Sequence, residues 1–218
     1  QARLLMGREA SERALRTLRA PAVLHIATHG VFWEDPAVPF DDAYQPERTL
    51  KVVAVSPVPH KKDTTPSNPL ARSALLLAGV EALGQPGPPP PEDNDGLVTA
   101  IEVSGLNLWG TQLVVLSACD TGRGAVRLGQ GVYGLRRAFL NAGAETLVSS
   151  LWPVSDAATQ GLMDSYYRNL FSGQGRVEAM RQAAMEVRAK QPHPYYWAPF
   201  IVLGMDGPLR GVTPQGPP

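Results

Sequence analysis

Short, nearly continuous apolar runs separated by amphipathic helical stretches predict an α/β fold, with a mostly parallel sheet covered by helices on both faces. Two observations carry this. Runs such as Leu113-Val-Val-Leu116 are apolar at every position instead of alternating, as strands buried on both sides must be. The segments between them, such as Gly129–Ala142, repeat apolar residues at helical spacing.

Taken in order, residues 8–19 combine helix formers with charge pairs four apart and predict a helix that Pro21 ends. Residues 22–28 predict a short buried strand closing on His29-Gly30. From Val31 to Pro69 the chain is rich in Pro, Asp and Lys, with one expected strand at Leu50–Val55. A strand is expected at 72–78, and a short helix at 97–104. Between them, Gly84–Pro91 (GQPGPPPP) fits no regular element, because proline lacks the donor and fixes its own φ. A second buried strand is predicted at Leu113–Ala118. A helix follows at Gly129–Ala142, with Val132, Leu135 and Phe139 on one face and Gly143 as its stop. Glu145–Leu151 predicts a third buried strand. Helices follow at Ser155–Phe171, with Ser155 able to cap, and at Val177–Lys190. Tyr196–Leu203 predicts a last strand, and Gly211–Pro218 a disordered tail.

Composition narrows the function classes. Twenty basic residues balance twenty acidic ones, so no overall field favours nucleic acid or an anionic membrane. No apolar run approaches the roughly 18 residues that span a bilayer. One cysteine excludes an internal disulfide, and no Cys/His cluster has zinc spacing, so neither metal nor cofactor is expected. A reducing cytoplasmic setting follows. The chain starts on Gln1 with a basic amphipathic stretch lacking a signal-peptide core. Residues 1–20 are therefore expected to be a helix and linker continuing from an upstream region, 21–210 the domain, and 211–218 the tail.

In open α/β sheets, chemistry gathers at the carboxyl ends of the strands. Two predicted strands end in a reactive residue there: Leu24-His-Ile-Ala-Thr-His29-Gly30 and Val114-Val-Leu-Ser-Ala-Cys119-Asp120. A thiol needs a base or a positive neighbour to become the attacking thiolate, and an imidazole supplies one, then protonates the leaving amine. The N–H groups of Gly30 and Cys119 could form an oxyanion hole contributing about 3–4 kcal/mol. From residue types alone, Cys119 fits equally a small core side chain. His25, four residues before His29, reads as a satisfied core group or a support for the site. His60 and His193 fall in polar loops and are expected to be solvated.

Several blocks resemble the CHAT domain family. They are Leu24–Gly30, Leu113–Gly122 (LVVLSACDTG), Gly131–Ala144 (GVYGLRRAFLNAGA), Val148–Asp156 (VSSLWPVSD) and Tyr196–Phe200 (YWAPF). CHAT domains are caspase-like cysteine peptidases, commonly fused to tetratricopeptide repeats and related to separase. The resemblance implies a caspase-like three-layer sandwich, a His29–Cys119 dyad, endopeptidase activity on a protein substrate, and an upstream repeat or sensor region that controls it. The caspase signature Gln-Ala-Cys-x-Gly is replaced here by Ser117-Ala-Cys-Asp-Thr121, so caspase preference for Asp does not carry over. Gln130 stands where the family usually has Glu, and the proline-rich 84–91 insertion is longer than expected.

A Trp-x-Val-Thr-Asp segment of separase resembles Trp152-Pro-Val-Ser-Asp156, and by that likeness Asp156 would line a pocket for a basic P1 residue. The same Asp156 equally suits the first turn of a helix, where it favours the dipole. Asp120 fits either a turn or the pocket. Ser149 and Ser150, with Trp152, are candidates for substrate contact, the serines through β-pairing with an extended peptide. A non-catalytic interaction domain of the same family is the alternative, although both His29 and Cys119 are retained. Gly129-Gln-Gly-Val-Tyr-Gly134 matches a dinucleotide fingerprint, but ten residues, 119–128, separate it from Ala118, where the first glycine should lie in the turn that ends the strand. No G-x-S-x-G occurs, which argues against a serine hydrolase.

Overall fold

A computed structural model describes residues 2–32, 69–83, 91, 94–117, 130–152 and 156–211, without the side chains of residues 32, 69, 71, 130–133, 156 and 157. Its centre is a four-stranded sheet in the order β1 (Val23–Ile26), β5 (Leu113–Leu116), β6 (Thr146–Ser150), β7 (Phe200–Gly204). β1, β5 and β6 run parallel, and β7 is antiparallel to β6. A second, antiparallel sheet is formed by β2 (His29–Phe32), β3 (Ser73–Leu76) and β4 (Leu97–Thr99). The fold is thus α/β with a mostly parallel central sheet, consistent with a caspase-like sandwich.

The central strands alternate their side chains between two apolar layers. Leu24, Ile26, Val114, Leu116 and Leu147 face one way. There they meet Leu135, Ala138 and Phe139 of α3 (Gln130–Asn141), Ala142 just after it, and Ala100 and Val103 of α2 (Ala100–Ser104). Val23, Leu113, Val115 and Val148 face the other way, against Leu162, Met163, Tyr166 and Leu170 of α4 (Asp156–Phe171). Ala179, Met180 and Ala183 of α5 (Arg176–Lys190) complete that layer. β5 is buried at all four positions, as its unbroken apolar run requires. Each buried Leu or Val contributes about 1.5–3 kcal/mol relative to exposure.

The helix ends follow local chemistry. Gly143 has φ +107°, and the Ala144 N–H reaches the Phe139 carbonyl while the Gly143 N–H reaches that of Leu140, so α3 stops where its glycine predicts. Ser11 caps α1 (Glu12–Arg16) by accepting from the Ala14 N–H, and Leu15 enters the core. Gly204, at φ +106°, closes β7 where an added Cβ would lie 2.2 Å from the Glu145 carbonyl oxygen, so no other residue fits.

Four predicted elements differ. The 8–19 helix is a 3-10 turn at Gly7–Glu9 followed by the five-residue α1, because Ser11 caps in mid-segment. Residues 97–104 are not one helix. Thr99 forms a capping box with Glu102 and ends β4 there, so the helix starts at Ala100. The 22–28 strand stops at Ile26, and His29 opens a strand of the other sheet. Pro194–Trp197 forms a short helix, α6, started by Pro194 and capped by His193 Nδ1, which leaves β7 to begin at Phe200. The expected strand at 50–55 and most of the proline-rich loop and of the tail lie outside the described residues. Among the described residues no helix is long and apolar enough to cross a membrane.

Candidate active site at the carboxyl edge

Because β1, β5 and β6 are parallel, their carboxyl ends emerge at one edge of the central sheet. β1 and β5 end on a register pair, Ile26 opposite Leu116. The Ser117 N–H then donates to the Ile26 carbonyl at 3.1 Å and extends the pairing by one residue. Three residues after Ile26, His29 starts β2 opposite Leu76, and Gly30 lies opposite Leu75. The His29 residue is exposed and Gly30 is buried. Thr28, between the two strands, donates its hydroxyl to the Leu76 carbonyl and holds the crossing from one sheet to the other.

β6 reaches the same edge. Ser149 lies between Leu116 and Ile201, and Ser150 opposite Phe200. Both are buried, and the Ser150 carbonyl accepts from an Arg136 guanidinium at 3.3 Å. With a neighbour on either side, Ser149 offers no unpaired backbone for an extended peptide. The role expected for it in strand addition is not available in this arrangement. Trp152, just past β6, donates its indole N–H to the Tyr195 carbonyl at 3.2 Å and fastens the outgoing loop to α6.

Cys119 and Asp120 lie outside the described residues, and Asp156 opens α4 without a described side chain. The structure therefore brings His29, Gly30, Ser150 and Trp152 to one edge. The thiol and the two acidic candidates are related to that edge by sequence alone.

The same edge contains a chain of side chains that sequence reasoning left half-read. His25 Nε2 is 2.8 Å from Ser117 Oγ, and His25 Nδ1 is 2.9 Å from the Tyr167 hydroxyl of α4. His25 is exposed, yet the protein packed around its ring withdraws enough water to hold its pKa below the ordinary 6.5. Burial also pushes the Tyr167 phenol above its usual range, so both groups are neutral at pH 7. The reading of His25 as a satisfied group holds, although not in the core. Tyr167 had no sequence signal beyond its place in a helical pattern, and only the packing of α4 over β1 reveals it.

A family model of the CHAT domain matches residues 1–205. The chain belongs to the CHAT domain family. It is also 37% identical over 119 residues to Tetratricopeptide repeat protein 28 of Homo sapiens, and 35% identical over 119 residues to the protein of that name in Mus musculus. Each match covers 54% of this chain but 5% of the relative, so this CHAT domain spans a small part of the curated relatives it matches.

Proposed function

We propose that this CHAT domain is a cysteine endopeptidase with Cys119 as nucleophile and His29 as base and acid. One observation carries the reading. β1 and β5 are adjacent, parallel and end on partner residues, and His29 and Cys119 each follow that shared end by three positions. Membership of a caspase-like peptidase family supports the same pair. In the proposed cycle, His29 takes the thiol proton and the thiolate attacks the scissile carbonyl carbon. The resulting oxyanion is held by the N–H groups of Gly30 and Cys119. The C–N bond then breaks as the imidazolium gives its proton to the departing amine, leaving a thioester. Water, deprotonated by His29, hydrolyses the thioester and frees the thiol.

Asp156, at the start of α4 and four residues past Trp152, is proposed to favour Arg or Lys at P1. Asp120 is the alternative carboxylate. The name of the repeat-protein relatives supports a further proposal, that the domain works attached to a tetratricopeptide region that restrains or triggers it.

The test is to incubate the chain and its Cys119→Ala variant with a proteome-derived peptide library and sequence the new termini. Cleavage by the parent alone is expected. Cleavage that persists in the variant would sink the dyad, and intact peptides in both, with a repeat region attached and triggered, would favour a non-catalytic interaction domain. Within a positive result, Asp156→Asn should reduce the preference for basic P1 residues about 10–100-fold, the size of a lost charge-assisted contact.

A further inference from the structure

The side chains of His25, Ser117 and Tyr167 make no bond to substrate in the proposed cycle, yet they join three elements beside it. Val23 and His25 stand opposite Leu113 and Val115, so His25 and Ser117 continue the layer covered by α4 and α5. On β1 and β5 the residues before them in that layer, Val23, Leu113 and Val115, are apolar. At the carboxyl end it changes to imidazole, hydroxyl and phenol. The His25 and Tyr167 rings lie 5.7 Å apart at 32°, and Phe171 stacks on Tyr167 at 6.1 Å, which limits how the phenol can turn.

A polar trio at this place needs a reason other than cohesion. Partly withdrawing three polar groups from water costs free energy that their mutual bonds only offset, and an aliphatic residue would continue the layer more cheaply. What the trio adds is direction. A neutral imidazole has one donor and one acceptor, so a ring bonded at both nitrogens is confined to one orientation. Ser117, held by its backbone to Ile26 and by its hydroxyl to His25, is fixed at both ends.

We propose that His25 is a positioning residue: through Ser117 and Tyr167 it locks the carboxyl ends of β1 and β5 together, and so sets the geometry in which the chain presents His29 and Cys119. His29 follows His25 by four residues, and Cys119 follows Ser117 by two. The inference rests on the cysteine-peptidase reading and adds to it a residue that never touches substrate.

Because the chain has a single cysteine, alkylation by iodoacetamide read by intact mass reports Cys119 alone. The rate is measured against pH for the parent and for His29→Ala, His25→Leu, His25→Gln, Ser117→Ala and Tyr167→Phe, each checked for cooperative unfolding by circular dichroism. The parent thiol should titrate below the free value of about 8.5. His29→Ala should lower the rate at pH 7 about tenfold, and His25→Leu about threefold. His25→Gln, whose amide can still reach Ser117, should restore most of it; filling space alone would not distinguish Gln from Leu in this way. If His29→Ala slows alkylation and His25→Leu and Ser117→Ala do not, the positioning role is wrong and the dyad stands. If His29→Ala leaves the profile unchanged, the dyad falls and the positioning role falls with it. Should His25→Leu fail to fold, Ser117→Ala and Tyr167→Phe decide: a partial slowing supports the role, and parental profiles in both overturn it.

Discussion

The two edges of the central sheet are both polar, but they are polar in different ways. At the amino edge of β6, Glu145 receives guanidinium groups from Arg176, at 3.2 Å, and from Arg210. Those contacts, the Arg210 bond first, hold its carboxyl below the usual range. Gln112 exchanges two hydrogen bonds with the Arg210 backbone, Thr146 donates to the Met205 carbonyl, and Asp206 accepts from the Val177 N–H at the start of α5. Long side chains here close on backbone and on each other, tying residues 205–210 to the sheet. At the carboxyl edge, by contrast, His29 is exposed and His25 is exposed while bonded. Parallel sheets concentrate function at carboxyl ends because the chain leaves the strands there in loops that can be varied without disturbing the layers. The amino edge is where the same layers are fastened.

This contrast is breakable by substitution. The largest effect belongs to the carboxyl edge. Cys119→Ala should remove peptidase turnover, and His29→Ala should lower it by about 10²–10⁴-fold, with the melting temperature unchanged in both. Activity assays paired with thermal unfolding check this, and a large loss of stability with His29→Ala would mean the residue holds the two sheets together. The amino edge should behave in the opposite way. Arg176 is 1% exposed and is one of the two cations on Glu145, so Arg176→Ala should cost about 1.5–3 kcal/mol in urea unfolding, Arg210 still holding the carboxylate. Turnover per folded molecule should stay at the parental level. Pairing it with Glu145→Gln should cost less than the sum of the two single changes, since the pair acts as a unit.

Much of this was legible from the chain. The continuous apolar run Leu113–Leu116 marked β5, and the position of Gly143 marked the end of α3, because burial on two faces and a left-handed turn each permit few residue types. The crossing at residues 27–28 was not legible. Nothing in Ala27-Thr28 signals that the strand changes sheets, since the information lies in Leu76, whose carbonyl receives the Thr28 hydroxyl. For the same reason β4 was read as helix: Leu97-Val-Thr99 is a strand only because β3 is beside it. At the candidate site, the family blocks pointed to His29, Gly30 and Cys119, whereas the His25 contacts span 92 and 142 residues of sequence. Pairings that distant leave no local pattern to find.

The smallest expected effect separates the two edges by pH. At the amino edge the Glu145 carboxyl is depressed, so its stabilisation is complete above about 4.5 and fades as the pH falls through its lowered folded value. At the carboxyl edge His25 is displaced the other way relative to charge, because its folded pKa lies below 6.5. As the pH drops through 6.5, the unfolded chain takes up a proton at this position before the folded one does. Protons bound in the unfolded state then exceed those in the native state, and stability declines until the folded imidazole also protonates. Above 6.5 both states are neutral there and the contribution is flat. Urea unfolding followed from pH 8 to pH 5 should therefore show a shallow decline beginning near 6.5, well before the Glu145 region. His25→Gln, which cannot titrate, should flatten that part of the curve and leave the lower one in place. A decline of equal slope in His25→Gln would assign the upper window to another group, and His25 would then be as well solvated when folded as when unfolded.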